Sequence, residues 1–282
     1  MRLASYRYNG RDSFGVVTER GIVDVQQEKD KQFSTLQTAL RASALDALRE
    51  ELQGMQPTLT IDEVELAPVV PDAKKVFCVG LNYLSHIIET KQKTPTYPML
   101  FTRFANSHVG HDGEIILPAA SHMFDFEGEL AVVIGKRCRH VKASNALEVI
   151  AGYSCYNDGS VRDWQRHTSQ FTHGNNFYHS GAFGPWLVAP DEIPDPTRLT
   201  LITRLNGKEM QRATTDNLLF DVPTLTEYIT TFTELEPGDV VATGTTGGVG
   251  FRHDPQVFMR EGDVVEVEIS GIGILRNRVV RE

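Results

Sequence analysis

Two glutamates, Glu127 and Glu129, hold the most readable chemistry of this 282-residue chain. They lie two apart in the stretch 124–135, Phe-Asp-Phe-Glu-Gly-Glu followed by an apolar run, which reads as a strand with an acidic mouth. In a strand, residues i and i+2 share a face, their Cα atoms about 7 Å apart. Two carboxylates held that close push a pKa upward unless a cation sits between them. On this stretch alone the pattern fits a divalent metal site or a solvated acidic strand end. A third acid elsewhere tips the balance toward metal, and Asp158, closing the strand expected at 152–158, supplies it.

His86 and Glu89 form a second pair. If 83–90 is a helical turn, they fall at i and i+3 on one face. A carboxylate beside an imidazole fixes its tautomer and raises its pKa, which makes a general base; the same spacing also describes a surface ion pair. After Asp158, one to two helical turns place Arg162 and Gln165 at i and i+3, so both can point at something near that carboxylate. His108 and His111 sit in a turn-rich segment and read as surface-loop residues. The glycine-rich loop 244–250 can bring its backbone close to a ligand and offer N–H groups to an anion. It lacks the Gly-Lys-Ser/Thr ending of a phosphate loop, and no helix pattern follows it, which argues against a nucleotide site.

The elements that must position these residues are mostly strands. The first 70 residues read as a small unit: strands 2–8 and 13–18 joined by the turn 9–12, a third strand at 21–25, and a helix at 33–53 with leucines at helical spacing and a break. Residues 66–72 read as a linker into a buried strand at 75–80, and 99–104 is the next strand. Ser144 is the expected N-cap of 144–150. The loop 170–185 has too many glycines and polar residues for a regular element and too many aromatics for a solvated linker, as in ordered loops that build sites. Asn206-Gly207 signals a type I′ hairpin, and 223–232 a helix with Pro223 near its start. The pattern is that of a mixed α+β, β-rich fold.

Composition narrows the function classes. Apolar and charged fractions of 40% and 23% are those of a globular chain, and a net charge of −9 with no basic cluster argues against a nucleic-acid partner. Cys78, Cys138 and Cys155 form no CxxC pair, which fits reduced thiols and not a zinc-thiolate site. No apolar run has the length of a membrane span, and the N-terminus lacks a signal-peptide core. A cytoplasmic protein with no membrane partner is expected.

From about Lys75 to the C-terminus the chain resembles the fumarylacetoacetate hydrolase family. The stretches that carry the resemblance occur in order: Cys78-Val79-Gly80-Leu81-Asn82-Tyr83 with His86 and Glu89; Glu127-Gly128-Glu129-Leu130 with Val133-Ile134-Gly135; Gly152-Tyr153 with Asn157-Asp158 and Arg162-Asp163; Gly184-Pro185-Trp186; Asn206-Gly207; and Pro237-Gly238-Asp239 with Thr243-Gly244-Thr245 and Gly248-Val249-Gly250. The resemblance implies a β-roll core as the catalytic domain at 71–282, a small β-rich N-terminal domain at 1–70, and a homodimer. It implies Mg²⁺, with Mn²⁺ or Ca²⁺ as substitutes, on Glu127, Glu129 and Asp158, an all-oxygen set that suits such ions. His86 and Glu89 match the pair that activates water, on a segment that orders with substrate. Tyr83, Arg162, Gln165, Asn175 and Thr245 fall on the substrate side, Thr245 where a substrate carboxylate is held.

The implied activity is that of a metal-dependent hydrolase acting on the carbon–carbon bond of a ketonic substrate, a β-diketo acid of acylpyruvate type or an aromatic ring-fission product. The alternatives are a decarboxylase, isomerase or hydratase on a related 2-oxo acid, through a metal-bound enolate, or a catalytically silent ligand-binding protein on the same scaffold. The intact carboxylate trio and the His86–Glu89 pair argue against the last. One departure stands out: the family's Gly-Lys-Ser-Phe-Asp run is here Gly174-Asn175-Asn176-Phe177-Tyr178, so a neutral amide replaces a lysine. An amide cannot neutralise negative charge as an ammonium does, and His173 and His179 are the expected substitutes.

Overall fold

The computed structural model describes residues 1–25 and 33–282. Residues 26–32 of the expected N-terminal unit lie outside the described residues.

The strand that carries Glu129, Gly128–Ile134, is buried along its whole length because it lies inside the larger of two main sheets. It pairs antiparallel with Ile150–Asn157 on one side and Val240–Thr245 on the other. Its side chains alternate between two cores. Leu130, Val132 and Ile134 join the core shared with the second sheet, and Ala131 and Val133 join a core shared with the N-terminal strands. Burial on both faces is why the sequence shows a continuous apolar run there and not alternation. Gly128, between the two glutamates, is forced by packing: a Cβ there would stand 2.0 Å from the Thr203 hydroxyl oxygen of the second sheet.

Among the described residues the larger sheet has 11 strands. From one edge its main path runs Gly21–Asp24, Arg11–Thr18, Arg2–Tyr8, Gly181–Val188, Ile150–Asn157, Gly128–Ile134, Val240–Thr245, Val76–Gly80 and Met99–Arg103. The second sheet has 5 strands, in the order Lys208–Thr214, Thr200–Leu205, Val264–Ile269, Gly273–Arg281 and Glu114–Leu117. The two sheets enclose the main core, so the chain is a mixed α+β, strand-rich fold. No helix of the described residues is long and apolar enough to cross a membrane.

The division at 70/71 is bridged by both sheet and core. Arg2 and Leu3 pair with Val188 and Leu187, and Leu3 and Phe14 share a core with Ala131, Val133 and Tyr156. Other local expectations shift by small amounts. Asn9 and Gly10 take φ of 50° and 74°, a two-residue turn, so the second strand starts at Arg11 and not at residue 13. The expected helix 33–53 is two helices, Leu36–Arg41 and Leu45–Leu52, separated at Ser43 with φ 53°. Asn206 and Gly207 have φ of 53° and 77°, both positive as a type I′ turn requires. Helix Val222–Phe232 begins with the Asp221 carboxylate accepting the Thr224 N–H at 2.8 Å. Ser144 is not an N-cap: the short 3₁₀ segment Ala143–Val149 follows Lys142, and its first N–H, from Ala143, is taken by the distant Glu227 at 3.0 Å.

Candidate metal centre

Oxygens of Glu127, Glu129 and Asp158 lie within 4.8 Å of one another, and all three residues are buried. Register explains the meeting. Glu129 pairs with Tyr156 on one side and Thr245 on the other, and Asp158 follows the end of the strand Ile150–Asn157, where its N–H donates to the Glu127 carbonyl at 2.9 Å. The third carboxylate is therefore delivered by a neighbouring strand at the same height.

Each carboxylate keeps part of its coordination capacity. The Gly244 N–H donates to Glu129 Oε2 at 2.8 Å. Arg162 Nη2 donates to Glu127 Oε1 at 2.7 Å, and the Ser160 hydroxyl donates to Oε2 at 3.3 Å. Asp158 Oδ1 accepts from Arg103 and from Asn175 Nδ2, while Oδ2 is buried with no hydrogen-bond partner. A buried carboxylate oxygen without a donor is costly unless a cation meets it. Burial, together with the charges of Asp158 and Glu127, pushes Glu129 well above the usual carboxylate range. Burial also raises Glu127, partly offset by Arg162. An all-oxygen trio with an orphaned oxygen and mutually repelling charges fits a hard divalent cation.

The expected substitutes for the missing lysine do not hold the charge beside Asp158. That charge is Arg103, fully buried at the end of the strand Met99–Arg103, with a second nitrogen donating to the Ser180 hydroxyl at 2.7 Å. Asn175 hydrogen-bonds Asp158, the Ser160 hydroxyl at 2.8 Å and the Gln165 amide at 3.1 Å. His173 instead stacks on His167, and burial lowers His179. His108, expected at the surface, is buried: its strand His108–Val109 pairs parallel with Gly181–Ala182, and its Nε2 meets the Tyr156 hydroxyl. Burial drives its pKa well below the ordinary histidine value, followed by the Arg103 charge.

The predicted base pair forms. Helix Leu84–Thr90 brings His86 Nδ1 to 3.0 Å from Glu89 Oε1. Burial pushes Glu89 up, but the hydrogen bonds from His86 and the Gly248 N–H outweigh it and hold the carboxyl below its usual range. A carboxylate only accepts, so in the neutral imidazole the tautomer that fits this bond has its proton on Nδ1 and its lone pair on Nε2.

One cavity of about 300 Å³ is lined by His86, Glu127, Glu129, Arg162, Gln165 and Thr245, among others. Tyr83 and Asn175 are fully buried and lie outside its lining. The Tyr83 hydroxyl has no partner, and burial, then Glu129 and Asp216, raises its pKa. Arg162 is engaged already, its Nε on Asp125 at 2.8 Å and its Nη1 on Gln165 at 3.1 Å. Thr245 donates to the Gly128 carbonyl at 3.0 Å and accepts from Gln211 at 2.8 Å. Three residues of this environment went unread in the sequence. Arg103 is one. Gln211 also accepts the Gly128 N–H at 3.0 Å. Asp125 accepts the Gly250 and Phe251 N–H groups at 2.8 and 3.0 Å. Asp125 lies inside the acidic mouth itself, so its neighbours were the available signal.

The fumarylacetoacetate (FAA) hydrolase C-terminal family matches residues 75–280. A human protein named oxaloacetate tautomerase, mitochondrial, is 40% identical over 242 residues, covering 84% of this chain and 76% of that protein. The solved structure of fumarylacetoacetate hydrolase from Exiguobacterium antarcticum superposes with a TM-score of 0.86 at 32% identity, covering 100% of both chains. Maleylpyruvate hydrolase from Sphingobium sp. SYK-6, in complex with manganese(II) and pyruvate, gives a TM-score of 0.83 at 25% identity, over 100% of this chain and 99% of that one.

Proposed function

The chain belongs to the fumarylacetoacetate hydrolase family, and from that we propose that it is a divalent-metal-dependent hydrolase cleaving the carbon–carbon bond of a β-diketo acid. The observation that carries the reading is one cavity lined both by Glu127 and Glu129, two members of the carboxylate trio, and by His86, which Glu89 holds from behind. Glu127, Glu129 and Asp158 would hold Mg²⁺ or Mn²⁺; the bound cation would supply Lewis-acid polarisation of a substrate carbonyl.

The protein's own side chains do the rest. His86 takes a proton at Nε2, and Glu89, held ionised, stabilises the resulting imidazolium through Nδ1–H. The Thr245 hydroxyl and Gln165 line the cavity as neutral polar groups for substrate oxygens. Arg162 holds Glu127 in place through its bond at 2.7 Å and lines the cavity with its other nitrogens on Asp125 and Gln165. Arg103 offsets the charge of Asp158 from the side away from the solvent, both side chains being fully buried.

A second reading is keto–enol tautomerisation of a 2-oxo acid. It is favoured by the relatives named oxaloacetate tautomerase at 40% identity over 84% of the chain. The same base would move a proton at carbon instead of at water. Product analysis with acetylpyruvate and oxaloacetate, with and without Mg²⁺, separates the two. Pyruvate plus acetate supports hydrolysis. Loss of the enol absorbance of oxaloacetate without carbon dioxide release supports tautomerisation, and carbon dioxide release supports decarboxylation. No metal-dependent turnover of any oxo acid would leave only ligand binding. The same reading includes a homodimer, checked by light scattering. It also includes a reducing compartment, taken as the cytoplasm, which the three buried free thiols support and cell fractionation tests.

A further inference from the structure

Three arginines line the cavity, and only one of them is neutralised. Arg162 is paired with Asp125 and Glu127. Arg166 and Arg252 also line it, and among the described residues neither has an ion-pair partner. Both guanidinium groups lie against one ring: their central carbons are 3.9 and 4.8 Å from the centroid of Phe251. The ring attracts each cation but cannot cancel the two like charges it touches. Burial and the neighbouring Arg162 and Arg252 charges accordingly lower the Arg166 pKa. Arg252 spends one nitrogen on the Thr90 carbonyl at 2.7 Å, and its Nε is buried with no partner at all. Arg166 is exposed, so this end of the cavity is open to an incoming anion.

These features fit a carboxylate. A planar two-oxygen anion matches the guanidinium fork, fills an unpartnered N–H and relieves the repulsion between the two arginines. We propose that Arg166 and Arg252 form an anion subsite for the far end of the substrate, so that the site selects 2-oxo dicarboxylic acids over their monocarboxylic counterparts. This rests on the functional reading above, in which the 2-oxo acid head lies at the carboxylate trio. It adds what the trio and the base cannot decide, because both act on the head alone. Arg252 also holds the carbonyl at the end of the helix bearing His86 and Glu89, so one side chain serves both the far carboxylate and the docking of the base.

The test is a binding series measured by calorimetry on the Mg²⁺-loaded protein. Each dicarboxylate is compared with the acid in which a methyl replaces the far carboxylate: oxaloacetate with 2-oxobutyrate, 2-oxoglutarate with 2-oxopentanoate, 2-oxoadipate with 2-oxohexanoate. At least one dicarboxylate is expected to bind about tenfold or more tightly than its partner, the yield of one charge-assisted pair. Arg166→Met and Arg252→Met should each reduce that preference, the double variant should abolish it, and oxalate, which has no far end, should bind as before. Lysine in place of each arginine should restore part of the preference. The proposal is overturned if no pair differs in the wild type, a result that needs no folded variant, or if the preference survives the double substitution. Turnover assays keep the two ideas apart. Discrimination in binding without metal-dependent turnover of any oxo acid sinks the enzyme reading and leaves the subsite standing. Turnover that is equal for both members of every pair does the reverse.

Discussion

The two sides of the cavity are built differently. The carboxylate trio sits within a sheet buried on both faces, and every member is held by donors from other segments: Gly244 on Glu129, Arg162 and Ser160 on Glu127, Arg103 and Asn175 on Asp158. The base sits on a short helix whose Leu84 and Ile88 are 54% and 68% exposed. That helix docks on the glycine-rich loop through Ser85 to Thr246 at 3.0 Å, the Gly248 N–H to Glu89 at 2.8 Å and Arg252 to Thr90 at 2.7 Å. A cation site works by preorganisation, since its charges repel until the ion arrives. A proton-transfer group needs correct placement only while substrate is bound, and the substrate must first get in. Under the proposed function, the division of labour is thus a rigid side for the cation and a side docked by few contacts, here called detachable, for the proton transfer.

The comparison breaks most severely if metal binding and activity are lost separately on the rigid side. Asp158→Asn removes the charge that meets Arg103 and alters the orphaned oxygen; Glu129→Gln removes a second ligand charge. Each is expected to abolish Mn²⁺ binding in a calorimetric titration and to lower kcat/KM by about a thousandfold or more. Glu129→Gln should leave the apo fold at least as stable, because it deletes a repelled charge. Substantial metal affinity in either variant would mean that the trio is not the cation site.

On the detachable side the expected loss is smaller and of another kind. His86→Ala should lower kcat by about a hundredfold to ten-thousandfold, the usual contribution of a positioned base. Glu89→Gln should cost less, since an amide can still orient the ring but cannot stabilise the imidazolium. Mn²⁺ affinity should be unchanged in both. A matched fall in metal affinity would show that the two sides are one structure.

The carboxylate trio and the His–Glu pair were legible because each needs only short-range spacing: i and i+2 on a strand, i and i+3 on a helix. Asp158 was legible because a strand end is a predictable place. Arg103 was not, since nothing in Met99–Arg103 shows that the strand pairs with Val76–Gly80 and ends against Asp158. His108 was misread for the same reason. Its turn-like flanks suggested solvent, but a parallel pairing with Gly181–Ala182 buries it. Asn175 stands where the resemblance implies a lysine. The cation at that point comes from Arg103, 72 residues earlier, whose side chain reaches the same Asp158 oxygen across the fold.

That arrangement yields a sharper test of the rigid side. Asn175→Lys places an ammonium beside the buried Arg103, and two like charges sharing the one carboxylate of Asp158 there should cost about 3 kcal/mol of stability. Arg103→Met alone strands Asp158 and should weaken the fold by a similar amount. The double variant restores one cation beside one carboxylate, so its loss should be well below the sum of the two. Additive denaturation midpoints would show that Arg103 does not stand in for the family lysine.

The pH dependence separates apo from metal-loaded protein. Glu129 and Glu127 have folded pKa values raised above the ordinary glutamate range. In the window from that range up to the raised values, the native state holds more protons than the unfolded state. Stability of the apo protein therefore falls as pH rises through it. His108 works in the opposite direction: its folded pKa is depressed, so its contribution is present above the ordinary histidine value and is lost as pH falls. Cation binding needs ionised carboxylates, so the rise in Tm on adding Mg²⁺ should grow with pH across the glutamate window, and Glu129→Gln should flatten it. A metal-induced shift independent of pH would contradict the burial-driven repulsion in the trio.

The smallest effect sharpens the contrast most. Ser85 meets the Thr246 hydroxyl at 3.0 Å and accepts the Gly247 N–H at 3.2 Å, yet it touches neither the trio nor the base. Ser85→Ala should therefore cost about 1 kcal/mol in the docking of helix Leu84–Thr90, the net worth of such contacts, and nothing in the sheet. Amide hydrogen exchange reads the two apart: helix amides should exchange about fivefold faster, while Gly128–Ile134 keeps the rate set by global unfolding. If the loop closes over the missing hydroxyl, the helix rates will not move. If strand and helix rates rise together, the base-bearing helix opens only with the whole molecule, and the reactive side of the cavity is as rigid as the side that binds the metal.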